Sequence, residues 1–355
     1  MSLEDEIQSR LLNFYERKFP SRENTHIYSL TKITDGWENE VYSFTIGYEE
    51  ATKRKHEDLI LRIYPGNDAP QKSAKEFNAM KKLHEVGFPV PEVFLLELNS
   101  SPFGKPFVIM EMIDGRSMGD VFDDSPEEKK QELITLFCKI FVNIHTLDWR
   151  PFVQDTSIFE IGDTYMFINR WLSKAQRHLD DFQANEFAPA LDWLKKRRLD
   201  VPCERLSMTH GDYHPYNVLL RSDGAAFVID WGNIEVADFR SDLAWTLLLT
   251  STYGNPETRE IILSEYERVA GDKIEAVHEV TARSQIEYFE VMAILKRLFS
   301  ISVSLSDGAS KLGMRPGAET MMKQNVDHLK NVYALLIDRT GVTIPKIETL
   351  LETLS

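Results

Sequence analysis

The chain has 355 residues, of which 56 are acidic and 41 are basic, so its formal charge is −15. Hydrophobic residues make up 43% and charged residues 27%, a globular composition that argues against extensive disorder. The acidic excess disfavours the binding of nucleic acids and of anionic membranes, because their phosphates would be repelled.

Neither membrane insertion nor export is predicted. No apolar stretch approaches the roughly 18 residues of a membrane span. The first residues are acidic, whereas a signal peptide would begin with basic charge. Two cysteines, Cys138 and Cys203, cannot form a disulfide framework, which favours a reducing compartment. We therefore expect a cytoplasmic protein.

The first third of the chain is predicted to be rich in strands. Apolar residues recur at helical spacing in two segments, and β-branched and aromatic residues are concentrated in four others. The predicted elements are a helix over 2–18, strands over 41–46 and 59–64, a helix over 72–86, and strands over 94–96 and 107–110.

The rest of the chain is predicted to be mainly helical. Ser125 and Glu128 are spaced as in a capping box, which predicts a helix that begins there and ends near residue 146. The dipeptide Asp223-Gly224 between two apolar runs predicts a hairpin within 207–231. Further helices are expected over 166–182, 186–198, 240–250, 257–270, 273–304, 318–339 and 345–354.

These elements predict an α+β protein with two lobes. A small β-rich N-terminal lobe would comprise residues 1–112. A large, mostly helical C-terminal lobe would comprise residues 113–355 and would carry the inserted hairpin.

The densest polar cluster directly precedes this hairpin and runs from His210 to Asn217, with Asp212 within it. Asp230 follows the hairpin, and because a hairpin reverses the chain, Asp230 is expected to return near Asn217. A carboxylate and an amide oxygen suit Mg²⁺, which leaves Asp212 to accept the proton of a substrate hydroxyl. A base with separate metal ligands is what phosphoryl transfer requires.

A second group of candidate residues lies in the small lobe. Arg62 is placed on a strand, and Glu76 on the following helix can pair with it. A cation held by a carboxylate can bind the α- and β-phosphates of a nucleotide. The segment 34–42, with Gly36 and Asn39, is expected to form a turn over the phosphates, although the chain has neither of the usual glycine-rich phosphate-binding motifs.

In this order, these segments resemble the aminoglycoside phosphotransferase and choline kinase superfamily, the small-molecule branch of the protein-kinase-like fold. The similarity covers about residues 30–245 and is most specific at 210–217 and 229–232. It implies a bilobal protein-kinase-like fold and a small-molecule kinase. Such an enzyme would move the γ-phosphate of ATP or GTP to a hydroxyl of a small molecule with the help of Mg²⁺.

The resemblance also implies roles in catalysis. Asp212 would be the catalytic base, and Asn217 and Asp230 would ligate Mg²⁺. Asp242 matches an aspartate that buttresses the catalytic loop in this family. The stretch between Asp230 and Asp242 is too short for a long activation loop, which disfavours a protein kinase.

For the nucleotide, the resemblance implies that Arg62 and Glu76 form the phosphate-gripping pair. Glu111 and Ile113 would offer main-chain groups to the purine. Many relatives carry lysine in place of Arg62, whose planar fork differs from the point charge of an ammonium group.

Two alternatives stay open. A catalytically silent module of the same fold would bind nucleotide without transferring phosphate. A metal-dependent hydrolase would use His210, Asp212, His214 and Asp230. The acidic balance favours an amine-bearing acceptor, and Tyr165, Phe167 and Trp171 are candidates for the lining of its pocket. The nucleotide preference and the oligomeric state stay open.

Overall fold

The computed structural model describes residues 3–33, 38–51, 53–99, 101–153, 155–159, 162–315 and 317–354. Within these ranges no helix is long and apolar enough to cross a bilayer. The predicted boundary between the two lobes, between residues 112 and 113, stays a prediction. By its internal contacts the chain divides into two compact units. The first unit comprises Met1–Gly115, Leu219–Gly232 and Ala309–Glu319, and the second comprises Arg116–Val218, Asn233–Gly308 and Thr320–Ser355.

The elements of the first unit up to Glu111 are α1 (Leu3–Lys18), β1 (Glu23–Ile33), β2 (Glu40–Glu50), β3 (Lys53–Ile63), α2 (Ala69–Glu85), β4 (Val93–Glu97) and β5 (Phe107–Glu111). The five strands form one antiparallel sheet with the order β1-β2-β3-β5-β4. The helices and strands expected here are present. β1 escapes prediction because its side chains are mainly polar, and only Thr25 and Ile27 along it are buried.

The core of this unit lies between α1 and the sheet. Phe14 of α1 packs edge-on against Phe107 of β5, with ring centroids 5.2 Å apart. Leu61 and Ile63 of β3 belong to the same core. Because side chains alternate along a strand, Arg62 between them points to the opposite face of the sheet. The burial of each such aromatic or aliphatic side chain stabilises the folded chain by about 1.5–3 kcal/mol. Strand β3 is therefore packed firmly and holds the backbone of Arg62 in place.

The remaining elements are mostly helices, as expected. In chain order they are β6 (Gly115–Ser117), α3 (Met118–Asp123), α4 (Glu127–Thr146), α5 (Met166–Asp181), α6 (Ala188–Arg197), β7 (Leu206–Thr209), β8 (Val218–Arg221), β9 (Ala226–Val228), β10 (Glu235–Asp238), α7 (Phe239–Tyr253), α8 (Pro256–Ala270), α9 (Val277–Val280), α10 (Arg283–Val303), α11 (Ala318–Gln324), α12 (Val326–Thr340) and α13 (Pro345–Leu354). In the second unit α7 packs against α8, α10 and α12. Nearly all of its residues are buried, so it is a central helix.

The predicted hairpin is present as β8 and β9. Gly224 in its turn has φ +86°, a conformation that glycine adopts without strain. Beyond the turn, the Val228 N–H donates to Pro89 O at 2.9 Å, and Trp231 packs edge-on against Phe88 at 5.7 Å. These contacts fix the end of the hairpin, and with it Asp230, within the first unit.

Three local expectations are wrong. Ser125 does not cap α4; its hydroxyl donates to Val121 O, and the helix begins after Pro126, which is extended. The helix expected over 273–304 is interrupted between α9 and α10, where Ala282 is extended. The helix expected over 318–339 is likewise divided at Asn325, which has non-helical backbone angles.

Candidate functional site

In the first unit, the predicted pairing of Arg62 with Glu76 is observed. Arg62 Nη1 lies 3.0 Å from Glu76 Oε1, and Glu76 is buried. The same guanidinium donates through Nη2 to Asp230 Oδ1 at 2.6 Å. One cation thus joins strand β3, helix α2 and the segment that follows the hairpin.

Two further side chains fix this pair. The Tyr64 hydroxyl donates to Glu76 Oε2 at 2.7 Å, in a fully buried position. With its amide oxygen turned towards the guanidinium, Asn39 accepts from Arg62 Nε at 2.9 Å and from Nη2 at 2.7 Å. Asn39 therefore contacts Arg62 directly, whereas Gly36 of the same predicted turn lies outside the described residues.

The two carboxylates shift the pKa values of the groups bonded to them. Burial alone would lower the pKa of Arg62, but the carboxylates of Asp230 and Glu76 outweigh it and hold the pKa well above its usual value. Burial, together with the charge of Glu76, raises the pKa of Tyr64 and keeps its hydroxyl protonated. Arg62 therefore stays charged while it contacts both carboxylates.

Asp230 has a strained backbone. Its φ is +67°, in the left-handed region, which for a residue other than glycine costs of order 1–3 kcal/mol. The neighbouring Trp231 is fully buried, and its indole N–H donates to Val228 O at 2.9 Å. The packing of Trp231 thus holds Asp230 in a conformation that the chain would not adopt by itself, as is common at functional sites.

In the second unit, Asp242 of α7 holds the backbone of the predicted catalytic loop. Its two carboxylate oxygens accept the N–H groups of His210 at 2.7 Å and of Gly211 at 2.8 Å. Gly211 has φ +80°, and a Cβ at this position would lie 2.7 Å from the Cβ of Asn233. Only glycine fits there, so the loop can approach Asn233 closely.

A buried network extends from Asp242. His145 Nε2 lies 3.3 Å from Asp242 Oδ2, and His145 Nδ1 lies 2.7 Å from the Tyr266 hydroxyl. Burial by itself would raise the pKa of Asp242, but hydrogen bonds and charge from His145 and His210 lower it below its usual value. Asp242 therefore stays ionised and can accept both loop N–H groups.

Asp212 and Asn217 are brought together within this loop. Asn217 Nδ2 donates to Asp212 O at 2.9 Å, which leaves the amide oxygen of Asn217 for a ligand. The Asp212 N–H donates to His210 Nδ1 at 3.3 Å. The carboxylate of Asp212 is 30% exposed, so a substrate can reach it.

Trp245 is a candidate functional residue that the sequence does not reveal, since its place in an apolar helix predicts only a core residue. Its indole N–H donates to Asp212 Oδ1 at 2.7 Å. The spacing to Asp242 is the available signal: residues three apart on a helix share a face, so Trp245 faces the same loop as Asp242.

Two cavities lie in the second unit, and Phe167 lines both. The smaller, about 60 Å³, is beside the loop and is also lined by Gly211, Trp171 and Trp245. The larger, about 560 Å³, is lined by the segments 146–150, 162–164, 166–167 and 203–206 together with Phe159. Phe167 and Trp171 line a cavity, whereas Tyr165 lines neither and donates its hydroxyl to Leu199 O. Their role in binding an acceptor stays a prediction.

The side chains of the two predicted metal ligands are of types that suit Mg²⁺ better than a metal that prefers nitrogen or sulfur. Asp230 supplies a carboxylate and Asn217 an amide oxygen, and both are hard ligands. Within the described part of the chain, no group of three or more His, Cys, Asp or Glu side chains is arranged to hold a metal ion. A joint metal site of Asn217 and Asp230 stays a prediction.

The two residues assigned to the purine lie at the end of β5. Glu111 is its last residue, and its N–H donates to Glu92 O at 2.8 Å. A main-chain contact from Glu111 to a purine would therefore use the carbonyl. Ile113 follows shortly after and is buried. Both purine contacts stay predictions.

Comparisons with solved structures find the same fold in proteins that are named as phosphotransferases. A candidate aminoglycoside phosphotransferase from Ralstonia eutropha aligns with 98% of this chain and 97% of its own, with a TM-score of 0.57 and 15% identity. A spectinomycin phosphotransferase, solved with ADP and spectinomycin, aligns with 93% of this chain and 98% of its own, with a TM-score of 0.56 and 12% identity. At these identities the likeness shows the fold, and the expected bilobal protein-kinase-like architecture is confirmed.

Sequence comparison gives a curated relative with a different name. Acyl-CoA dehydrogenase family member 10 of Mus musculus is 30% identical over 203 residues, which is 54% of this chain and 18% of the mouse protein. The chain spans less than a third of the length of the curated relatives it matches. The model of the phosphotransferase enzyme family, in contrast, matches residues 29–279, which is more than half of the chain. The expected superfamily is thereby confirmed: the chain belongs to the phosphotransferase enzyme family.

Proposed function

We propose that this chain is a small-molecule kinase that moves the γ-phosphate of ATP or GTP to a hydroxyl group. The observation that carries the proposal is the loop from His210 to Asn217, in which a reachable carboxylate and an amide oxygen are held by Asp242 and by hydrogen bonds within the loop. Phosphoryl transfer needs positioning and charge stabilisation rather than covalent chemistry from the protein. A loop held in this way supplies positioning.

In the proposed reaction, Asp212 accepts the proton of the acceptor hydroxyl. Its exposed carboxylate can form a hydrogen bond to that hydroxyl and direct the oxygen towards the phosphorus. Holding the two reactants in line converts an encounter into a step within one complex, which can account for several kcal/mol of the barrier.

Asn217 and Asp230 are the proposed ligands of Mg²⁺, with the amide oxygen and a carboxylate oxygen as donors. The hard oxygen donors of these two side chains support this assignment. When bound, Mg²⁺ neutralises charge on the β- and γ-phosphates.

The nucleotide phosphates are proposed to bind Arg62, which Glu76 and Asn39 hold in place. Gly36 would lie in the turn that covers the phosphates, and Glu111 and Ile113 would offer main-chain groups to the purine. The ADP complex of the spectinomycin phosphotransferase shows that this fold accommodates a nucleotide in a relative.

The acceptor is proposed to be a small molecule with a hydroxyl group, and the charge of −15 favours one that bears an amine. A cytoplasmic location is part of the same proposal. This chain spans only 18% of the mouse relative, whose name describes a dehydrogenase. A dehydrogenase activity is therefore not part of the proposed function.

The test is a screen of hydroxyl compounds with Mg-ATP and Mg-GTP that measures released nucleoside diphosphate. Asp212→Ala is the blank, and Asp181→Ala, at an exposed position on α5, is the matched control. We expect at least one acceptor to be phosphorylated by the native protein and by the control, but not by the blank. The blank should still bind Mg-ATP in a thermal-shift titration.

Phosphorylation that persists in Asp212→Ala would overturn the assignment of the base. Binding of Mg-nucleotide without transfer to any acceptor would favour the silent module. Stoichiometric zinc in the purified protein would favour the metal-dependent hydrolase.

A further inference from the structure

We propose that Trp245 is a positioning residue, which holds the carboxylate of Asp212 in the orientation required of the base. This inference rests on the proposed function of Asp212. It starts from the hydrogen bond between the Trp245 indole N–H and Asp212 Oδ1, 2.7 Å long. An indole N–H is a donor only, so it orients the carboxylate without competing for the proton.

The backbone and the side chain of Asp212 are held by different groups. Two hydrogen bonds fix the backbone: Asn217 Nδ2 donates to the Asp212 carbonyl, and the Asp212 N–H donates to His210 Nδ1. For the carboxylate, Trp245 supplies the one hydrogen bond found among the described residues. His214 Nε2 lies 4.0 Å from Asp212 Oδ2, beyond hydrogen-bond distance. The rotamer of the base therefore depends on the indole.

The indole is itself held firmly. Trp245 is buried on α7, and the Lys296 ammonium of α10 lies 4.4 Å from the centroid of its ring. A cation over an indole face is attracted by the ring electrons. The same helix α7 carries Asp242, which fixes the loop backbone, so one rigid element sets both the backbone and the side chain of the loop.

This arrangement divides the carboxylate into two oxygens with different roles. Oδ1 accepts the indole N–H, which leaves Oδ2 to accept the hydrogen bond of the acceptor hydroxyl. Without the indole bond the carboxylate could rotate, and the hydroxyl oxygen would be aimed less well. A misplacement of about 1 Å can cost of order 100-fold in rate.

The test replaces Trp245 with 3-benzothienylalanine, which has nearly the same shape but carries sulfur in place of the N–H. A fluorinated tryptophan at the same position keeps the N–H and is the conservative variant. Trp193 on α6 contacts Tyr288 and Arg197 through its ring. Its indole N–H makes no hydrogen bond within the part of the chain that the structure describes, so Trp193→Phe is the control for Trp245→Phe. The probe is Mg-ATP with water as the acceptor, and phosphate release gives kcat and KM.

We expect benzothienylalanine and Trp245→Phe to lower kcat by about 10- to 100-fold while KM for ATP changes little. The thermal midpoint should change little for benzothienylalanine, which keeps the shape of the ring, and should fall for Trp245→Phe, which leaves part of a buried site empty. Fluorotryptophan and Trp193→Phe should behave as the native protein. A native kcat in the benzothienylalanine variant, with Asp212→Ala inactive, would overturn the role of Trp245 alone. Native hydrolysis in Asp212→Ala would instead overturn the proposed function.

Discussion

The Arg62 guanidinium donates to Asp230 Oδ1 at 2.6 Å, so the cation proposed to bind phosphate is bonded to the carboxylate proposed to ligate the metal. Arg62 also contacts Glu76 and Asn39, and its planar fork serves all three partners at once. This geometry gives a physical reason for an arginine rather than a lysine at position 62.

The first prediction concerns Arg62→Lys. The substitution keeps the charge but loses the fork, so we expect the partners of Arg62 to be held less well. Mg-ATP should bind about tenfold more weakly, which corresponds to roughly 1.4 kcal/mol. Isothermal titration calorimetry measures this affinity.

The matched control for this prediction is Arg54→Lys. Arg54 is exposed and pairs with Glu49, so its replacement should leave the affinity unchanged. Native affinity in Arg62→Lys would mean that the charge alone matters and that the fork does not.

Features that are contiguous in the chain could be predicted from the sequence. The polar loop from His210 to Asn217 is one continuous run of residues and is visible in the sequence. The hairpin that follows it could be predicted because Asp223-Gly224 specifies its turn locally. The role of α7 is different, because it follows from packing. Trp245 has the pattern of a core residue, and only the folded chain brings its N–H to Asp212.

Helix ends that lack a glycine or a proline could not be predicted from the sequence. Ala276 has φ +51° and Ala282 is extended, so the chain breaks before α9 and α10 without a glycine or proline at either residue. Alanine favours helix, and its local preference therefore indicated continuity. Contacts elsewhere in the fold override that preference.

Tyr64→Phe is the second prediction. The substitution removes the hydroxyl that donates to Glu76 Oε2 and leaves a buried carboxylate with one bond fewer. We expect the free energy of unfolding to fall by about 1–3 kcal/mol and the affinity for Mg-ATP to fall as well, because Glu76 positions Arg62. Urea unfolding and calorimetry provide the two measurements. Tyr28→Phe, at an exposed position of β1, should change neither, and equal effects from both variants would contradict this account.

Asp242→Asn tests how the loop is held. An asparagine offers one acceptor oxygen where two N–H groups now donate, and its NH₂ would face one of them. We expect a loss of roughly 2–3 kcal/mol of stability. Hydrogen exchange should become faster at the amides of His210 and Gly211 in particular. Asp327→Asn, exposed on α12, is the control. Unchanged exchange at these two amides would show that other contacts suffice to hold the loop.

The last prediction concerns His328 of α12 and the pH dependence of stability. Its ring stacks on Tyr253 with centroids 3.7 Å apart, and its Nε2 accepts from Arg297 Nε at 2.9 Å. Burial, together with the charge of Arg297, lowers the pKa of His328 to about 3. In the unfolded chain a histidine has a pKa of about 6.5.

Between these two pKa values the unfolded chain binds a proton that the folded chain does not. The contribution of His328 to stability is therefore fully present above about pH 6.5 and declines as the pH falls below it. His328→Gln removes this titration, and its amide oxygen can still accept from Arg297. We expect the variant to lose less stability than the native protein between about pH 7 and pH 5 in urea unfolding. His278→Gln, at an exposed position, is the control. Parallel pH profiles of the native protein and His328→Gln would show that His328 can be protonated without unfolding the helix pair around it.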